Sequence, residues 1–163
     1  RDGSLDMLPT NGDGFDAGGV LHPFHGVQLF LNNGEGEFRA QPLMPFRGVH
    51  RAEAGDMDGD GDLDIVACAF HPFLPDEGRR NLKLDALIWF EQVTTLSFER
   101  HVIEALNVDC PSLDLKDFDG DGDLDITTGV FQVSIEDSED TWASRATGEE
   151  SPVAITWENL LTP

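Results

Sequence analysis

Two stretches of nine residues carry aspartate at every second position. Residues 56–64 read DMDGDGDLD, and residues 117–125 read DFDGDGDLD. Five carboxylates this close together would repel one another strongly as ordinary surface. Oxygen ligands at alternate positions are what a hard divalent cation of the size of calcium requires. The two stretches therefore predict two calcium loops.

The glycine at loop position six, Gly61 in the first copy and Gly122 in the second, indicates how each loop turns. A loop of the EF-hand type needs a residue that tolerates positive φ at this position, so that the backbone can wrap around the ion. Positions one, three, five and nine would then supply carboxylates, and position seven would supply its backbone carbonyl. The predicted carboxylate ligands are Asp56, Asp58, Asp60 and Asp64 in the first loop and Asp117, Asp119, Asp121 and Asp125 in the second, with Asp62 and Asp123 providing the carbonyls.

The residues that follow each loop exclude an EF-hand itself. An EF-hand has a bidentate glutamate at position twelve and then a helix, but position twelve is Ala67 in one copy and Thr128 in the other. Residues 65–70 and 126–131 are rich in β-branched and aromatic residues without a helical period, so they predict strands. The same context argues against a dockerin, whose related loops also lead into helices. A merely acidic, solvated hairpin is the alternative, and the repeated glycine spacing argues against it.

The chain opens inside a third copy of the same loop. Residues 2–6 read DGSLD and match loop positions five to nine, with Asp2 and Asp6 at the two acidic ends. The residues for positions one and three would precede Arg1. We therefore expect a ruined metal site here, and neighbouring structure outside this sequence that completes the folding unit and covers its open strand edges.

The three loop ends, Asp6, Asp64 and Asp125, recur about every sixty residues, and this period indicates a repeat architecture. The predicted units are residues 1–46, 47–107 and 108–163. Leu31, Phe90 and Trp157 align as equivalent strand positions, and residues 72–83 are predicted to be a loop. The predicted strands are residues 7–10, 27–31, 38–43, 51–55, 65–70, 86–90, 98–103, 113–116, 126–131 and 153–157.

The predicted fold class is all-β. Four short antiparallel strands in each tandem unit favour blades of a β-propeller over a sandwich. The units resemble FG-GAP or VCBS repeats, the calcium-loop blades of integrin α-subunit propellers and of many secreted bacterial proteins. The resemblance is carried by the DxDGDGxxD core between two strands and, less strongly, by WFE at 89–91 and WEN at 157–159. It implies that the loop joins the first two strands of a blade, that the ligand roles given above hold, and that the chain is part of a larger propeller of about seven blades.

Charge and composition limit the possible partners and location. The formal net charge of -22 makes nucleic acid an improbable partner, because phosphate contacts require clustered cations. No apolar run has the length of a membrane span. Calcium loops of modest affinity are filled where calcium is plentiful, which favours the exterior, the cell surface or the periplasm. Cys68 and Cys110 match no zinc or haem spacing, so they are either one disulfide or two buried thiols.

Three further features have a functional and a structural interpretation. The histidines His22, His25, His50 and His71 could converge on a transition metal, although His-Pro-Phe segments more often cover a blade edge. Trp89 and Trp157 could stack on sugars, but their strand positions favour core packing. The acidic insert at 136–150 could bind a basic partner, whereas a solvated loop is the commoner meaning of such a run.

No nucleophile elbow, phosphate loop or haem attachment motif is present in the sequence. The first hypothesis is therefore a non-catalytic calcium-binding scaffold outside the cytoplasm, whose partner is a protein (other blades, another subunit or a surface ligand) or a glycan. The alternatives are a propeller domain of a polysaccharide-active enzyme and a structural subunit of a larger assembly. Fold alone does not decide among them.

Overall fold

The structure, a computed structural model, describes residues 3–12, 22, 25–71, 76–105, 109–130 and 154–159. Within these residues the chain forms ten strands and one short helix. The elements are β1 (Thr10–Asn11), β2 (Gly26–Asn32), β3 (Phe38–Pro45), β4 (Val49–Gly55), β5 (Asp64–Ala69), α1 (Asp76–Leu82), β6 (Asp85–Thr94), β7 (Ser97–Ala105), β8 (Ser112–Lys116), β9 (Asp125–Gly129) and β10 (Ala154–Trp157).

The strands form three antiparallel sheets that follow one another along the chain. The first sheet has the order β1-β2-β3, the middle sheet β4-β5-β6-β7, and the third sheet β10-β9-β8. Within each sheet, strands that follow one another in the chain are paired with each other, which is the common arrangement. The all-β prediction is confirmed at this level, and the boundaries of the three predicted units stay predictions. Within the described residues, no helix is long and apolar enough to cross a membrane.

In all three sheets, the residue that directly follows the last aspartate of the loop pairs with an aromatic residue of the next strand. Met7 bridges to Phe30 in the first sheet, Ile65 pairs with Phe90 in the middle sheet, and Ile126 pairs with Trp157 in the third. The residue equivalent to Phe90 is therefore Phe30. The prediction that Leu31 is the equivalent residue was wrong by one position. Such a one-residue shift matters, because neighbouring side chains in a strand point to opposite faces of the sheet.

The middle strand β5 is buried on both faces. Ile65, Ala67 and Ala69 belong to a core cluster shared with the first sheet, which includes Val27 and Phe46. The alternate residues Val66 and Cys68 belong to a second cluster shared with the third sheet, where Cys110, Leu113 and Ile126 lie. Complete burial explains the continuous apolar run of this strand. The middle sheet is thus packed between the other two.

Residues 72–83 were predicted to be a loop, and this is wrong for Asp76–Leu82, which form α1. A helix of seven residues is too short to give a periodic apolar signal. Lys83 ends it in the left-handed conformation, with φ of 50°, and its N–H donates to the carbonyl of Arg80 at 3.2 Å. Left-handed residues at this position are a common helix ending, although glycine is the usual choice.

Several sequence predictions fall outside the described residues. These are the position of Asp2, the acidic insert at 136–150, and the ends of two predicted strands at residues 131 and 153.

Candidate metal-binding loops

The two acidic loops occupy the same place in their sheets. The first joins β4 to β5, and the second joins β8 to β9, so each connects two hydrogen-bonded antiparallel neighbours. Gly61 and Gly122 have φ of 93° and 105°, which is the predicted left-handed turn. Position four is left-handed as well, with φ of 77° at Gly59 and 88° at Gly120, and the sequence analysis had not assigned it this role. Both glycines allow the loop to curl inward.

The carboxylate at loop position one organises this curl. Oδ1 of Asp56 accepts the N–H of Gly59 at 2.9 Å, and its Oδ2 accepts the N–H of Gly61 at 3.0 Å. Asp117 does the same in the second loop, with distances of 2.6 Å to Gly120 and 3.1 Å to Gly122. Each position-one aspartate thus spans both left-handed glycines of its loop.

Positions three and five continue the same pattern along the loop. Oδ1 of Asp58 accepts the N–H of residue 60 at 3.1 Å, and Oδ1 of Asp60 accepts the N–H of Asp62 at 2.8 Å. In the second loop the equivalent distances are 3.1 Å for Asp119 and 3.2 Å for Asp121. Local bonds of this kind, from an aspartate to the N–H two residues later, hold the carboxylates on the inner side of the turn.

The position-nine aspartates connect the loop to the third strand of its sheet. Asp64 accepts the N–H of Met57 at 3.1 Å and that of Gln92 at 2.8 Å. Asp125 accepts the N–H of Phe118 at 3.0 Å and that of Asn159 at 2.9 Å. Both carboxylates are almost completely buried, at 1% and 2% exposure.

The partial N-terminal copy preserves this connection. Oδ1 of Asp6 accepts the N–H of Asn32 at 2.8 Å, two residues after the bridge partner Phe30. Gln92 and Asn159 stand at the same offset in the other sheets. Sequence reasoning missed these strand partners, and the signal that could have found them is the asparagine or glutamine two residues after Phe30, Phe90 and Trp157.

The structure brings three carboxylates together in each complete loop. Ligand oxygens lie within 4.8 Å of one another in a cluster of Asp56, Asp58 and Asp60 in the first loop, and in a cluster of Asp117, Asp119 and Asp125 in the second. In the part of the chain that the structure describes, Asp6 joins no such cluster.

The electrostatics of these clusters fit a cation. Burial raises the pKa of the Asp58 carboxyl above its ordinary value. The hydrogen bond from the N–H of residue 60 lowers this pKa, but repulsion from Asp60, Asp64 and Glu91 raises it again. A positive ion between these carboxylates would relieve the repulsion.

Asp123 adds an independent observation. Its Oδ1 atom is buried and accepts no hydrogen bond from any described residue. Desolvation raises the pKa of this carboxyl, and the neighbouring Asp121 raises it further. A buried carboxylate oxygen without a donor is costly unless a proton or a cation lies beside it. The donor set, all oxygen, therefore fits a hard divalent cation, and the side chain of Asp123 is turned inward, whereas the sequence had assigned a role only to its backbone.

Asp125 shows the opposite behaviour to Asp123. The N–H groups of Asn159 and Phe118 hold the pKa of its carboxyl below the ordinary value. Although it is buried, this carboxylate therefore stays ionised.

The histidines are distributed differently from the acidic groups. His25 and His71 are buried, and the rings of His22 and His25 lie 5.3 Å apart edge to face. His50 packs edge to face on Phe70, with ring centroids 5.6 Å apart. In the described ranges no histidine joins a group of three metal-ligating side chains. The idea of a transition-metal site gains no support from this arrangement.

Trp89 and Trp157 pack against the core cluster shared by the middle and third sheets. Trp89 also stacks on His101, with ring centroids 4.7 Å apart, and His101 Nε2 lies 2.7 Å from a carboxylate oxygen of Glu91. Trp89 and Trp157 therefore have a role in packing, as their strand positions had indicated.

A comparison with protein families gave a match for the N-terminal part of the chain. Residues 1–67 match the family model described as FG-GAP-like repeat. The matched segment runs from the partial loop copy through the first sheet and the complete first loop into β5. Comparisons with curated proteins and with solved structures gave no match. Over residues 1–67, this chain is thus similar to an FG-GAP-like repeat.

Proposed function

We propose that the chain is a calcium-binding module of the β-propeller type that serves as an interaction scaffold outside the cytoplasm. The FG-GAP-like repeat suggests a propeller-type interaction module, and the antiparallel sheets in tandem are consistent with blades of one. Calcium binding, a location outside the cytoplasm and the scaffold role are proposed here in addition to the propeller-type fold.

One observation carries the calcium assignment: two loops in successive repeats adopt the same internal hydrogen bonds and gather three carboxylates each. The clusters are Asp56, Asp58 and Asp60 in the first loop and Asp117, Asp119 and Asp125 in the second. A hard cation of calcium's size takes six to eight oxygen ligands in a flexible geometry, which a curled acidic loop can provide.

The proposed ligands in each loop are the carboxylates of positions one, three, five and nine and the carbonyl of position seven. In the second loop the inward Asp123 side chain adds to this donor set. When bound, the ion would neutralise carboxylates that otherwise repel one another and would brace a loop that has no apolar core of its own. Among the described residues Asp6 joins no group of three carboxylates, so the proposal places no ion there.

The scaffold role follows from the same arrangement. Binding surfaces are commonly carried by loops on a rigid framework, and the ions would make these loops part of that framework. A protein or a glycan is the proposed partner. Calcium loops of modest affinity are filled outside the cytoplasm, which is the basis for the proposed location.

The test is a calorimetric calcium titration of the full chain and of two matched variants. We expect the unsubstituted chain to take up two calcium ions. Asp60→Ala should weaken the first site by at least about tenfold, because the site loses a charged ligand from its cluster.

Asp62→Ala is the control for this titration. Residue 62 is exposed, and its proposed contribution is a backbone carbonyl that alanine retains. Its affinity should stay within about twofold of the original, as expected for an exposed side chain without a role. Equal losses in the two variants, or no uptake by the unsubstituted chain at millimolar calcium, would contradict the proposal.

A further inference from the structure

The two acidic loops are connected to each other through one side chain, that of Asn159. Its Nδ2 donates to the carbonyl of Met57 in the first loop at 2.7 Å and to the carbonyl of Leu124 in the second loop at 3.3 Å. Its backbone N–H meanwhile donates to Asp125 at 2.9 Å. Asn159, two residues after the end of β10, thus contacts position two of one loop and positions eight and nine of the other.

A second contact joins the same two loops. A Cβ placed on Gly55 would lie 2.7 Å from Cδ1 of Leu124, so the leucine of the second loop fills the space beside the residue that precedes Asp56. Met57 is buried at 5% exposure in the core cluster between the middle and third sheets. The backbone of the first loop is therefore held against the second loop on both sides of Asp56.

Among the described contacts, the equivalents of Asn159 in the other repeats form no bridge between two loops. Nδ2 of Asn32 donates to the carbonyl of Leu5 at 3.1 Å, which is the contact within its own repeat. Gln92 uses its side-chain oxygen to accept the N–H of Leu96 at 2.8 Å. Among the three equivalent positions, Asn159 alone has a described bond to the loop of a neighbouring repeat.

We infer that Asn159 is a positioning residue that couples the two loops, so that calcium bound at one loop raises the calcium affinity of the other. The inference rests on the proposed function. An ion in the first loop fixes the carbonyl of Met57, which orders the Asn159 amide. Because the same residue donates to Asp125 and Leu124, the second loop is then already in its binding conformation. Coupling between two binding sites is reciprocal by thermodynamic necessity.

The decisive measurement is the calcium affinity of the first loop with the second loop disabled. Asp119→Ala removes a carboxylate from the second cluster and leaves the first loop unchanged. We expect the first site to bind calcium about threefold to tenfold more weakly in Asp119→Ala than in the unsubstituted chain, the range expected from one shared hydrogen bond. In the Asn159→Ala background, adding Asp119→Ala should leave the first site unchanged.

Asn32→Ala is the matched control, because it removes the same amide contact from a repeat in which the amide reaches no second loop. Coupling between the two complete loops should persist in this variant. Terbium luminescence sensitised by tryptophan provides a second readout of total occupancy.

The possible outcomes separate the two proposals. No calcium uptake by the unsubstituted chain would overturn the proposed function and this inference together. Uptake of two ions with a first site indifferent to Asp119→Ala would overturn the inference alone, and this comparison stands even if Asn159→Ala does not fold. Coupling that persists in a folded Asn159→Ala variant would also overturn it, since the bridge would then not be the route.

Discussion

Asp64 and Asp125 differ from the other loop aspartates because each is almost completely buried and accepts one backbone N–H from outside its loop, that of Gln92 or Asn159. Each hydrogen bond to a charged group contributes about 1.5–3 kcal/mol to the free energy of unfolding. At the scale of single residues, these two side chains brace their sheets whether or not an ion is present. Their role as proposed ligands is additional.

Asp64→Asn tests this bracing role. The asparagine can accept with its oxygen, but its NH₂ group would face one of the two N–H donors, from Met57 or Gln92. We expect the free energy of unfolding to fall by about 2–3 kcal/mol in urea titrations with a chelator, so that no metal contributes. Asp62→Asn, at an exposed position, should change it by less than about 0.5 kcal/mol. Equal stability of the two variants would show that the buried carboxylate is not a brace.

The sequence predicted the left-handed turn of both acidic loops, and the reason is local. Aspartates at alternate positions and a glycine at position six are features of one short segment, so the curl of the loop could be predicted from residues 56–64 alone. The partners Gln92 and Asn159 are 28 and 34 residues distant from their aspartates in the chain, and only the pairing of strands brings them together. The bridge from Asn159 to Met57 spans 102 residues and left no local pattern to recognise.

At the scale of elements, β5 is the strand on which the inter-sheet packing depends. It is buried along its whole length, from Asp64 to Ala69. Its neighbour β6 contributes Leu87 and Ile88, which are both fully buried and belong to opposite clusters. The strand predictions succeeded here because β-branched and aromatic runs bounded by turn residues are a local signal. The helix α1 was missed because it is short and its position depends on packing rather than on period.

Leu87→Ala should destabilise the protein because it opens a cavity in the cluster between the middle and third sheets. A buried leucine truncated to alanine costs about 2–5 kcal/mol, and we expect a loss in this range in chemical unfolding. The matched control is Leu82→Ala at the end of α1, where the leucine is 46% exposed and the change should stay below about 0.5 kcal/mol. Similar losses at both positions would contradict the packing described for β6.

At the scale of the whole molecule, two thiols lie in the cluster that joins the middle and third sheets. Cys68 and Cys110 are free and fully buried, and Sγ of Cys68 donates to the carbonyl of Cys110 at 3.0 Å. Burial raises the pKa of Cys68 from 9.0 to about 12 and that of Cys110 from 9.0 to about 11. The contact between the two sheets is therefore linked to the protonation of both thiols.

This linkage makes global stability dependent on alkaline pH. Both folded-state pKa values are raised, so the unfolded chain releases these protons first, and stability present below about pH 9 is lost as the pH rises towards 11 and 12. Each thiol should contribute a decline of up to about 1.4 kcal/mol per pH unit in this window. Urea unfolding at pH 8 and pH 10.5 measures it, and Cys68→Ala should show a smaller decline. An identical pH dependence in that variant would refute the assignment to the thiol.

The alternation of β5 between two clusters also limits how a chain of this kind can change in length. Ile65 and Ala67 face the first sheet while Val66 and Cys68 face the third. Inserting or deleting one residue in this strand would exchange the two sets of side chains and spoil both interfaces at once. Duplication of a whole repeat leaves every face matched to its neighbour. Genetic growth or shrinkage is therefore compatible with this architecture in steps of one repeat, and single-codon insertions are tolerable only in the turns between strands.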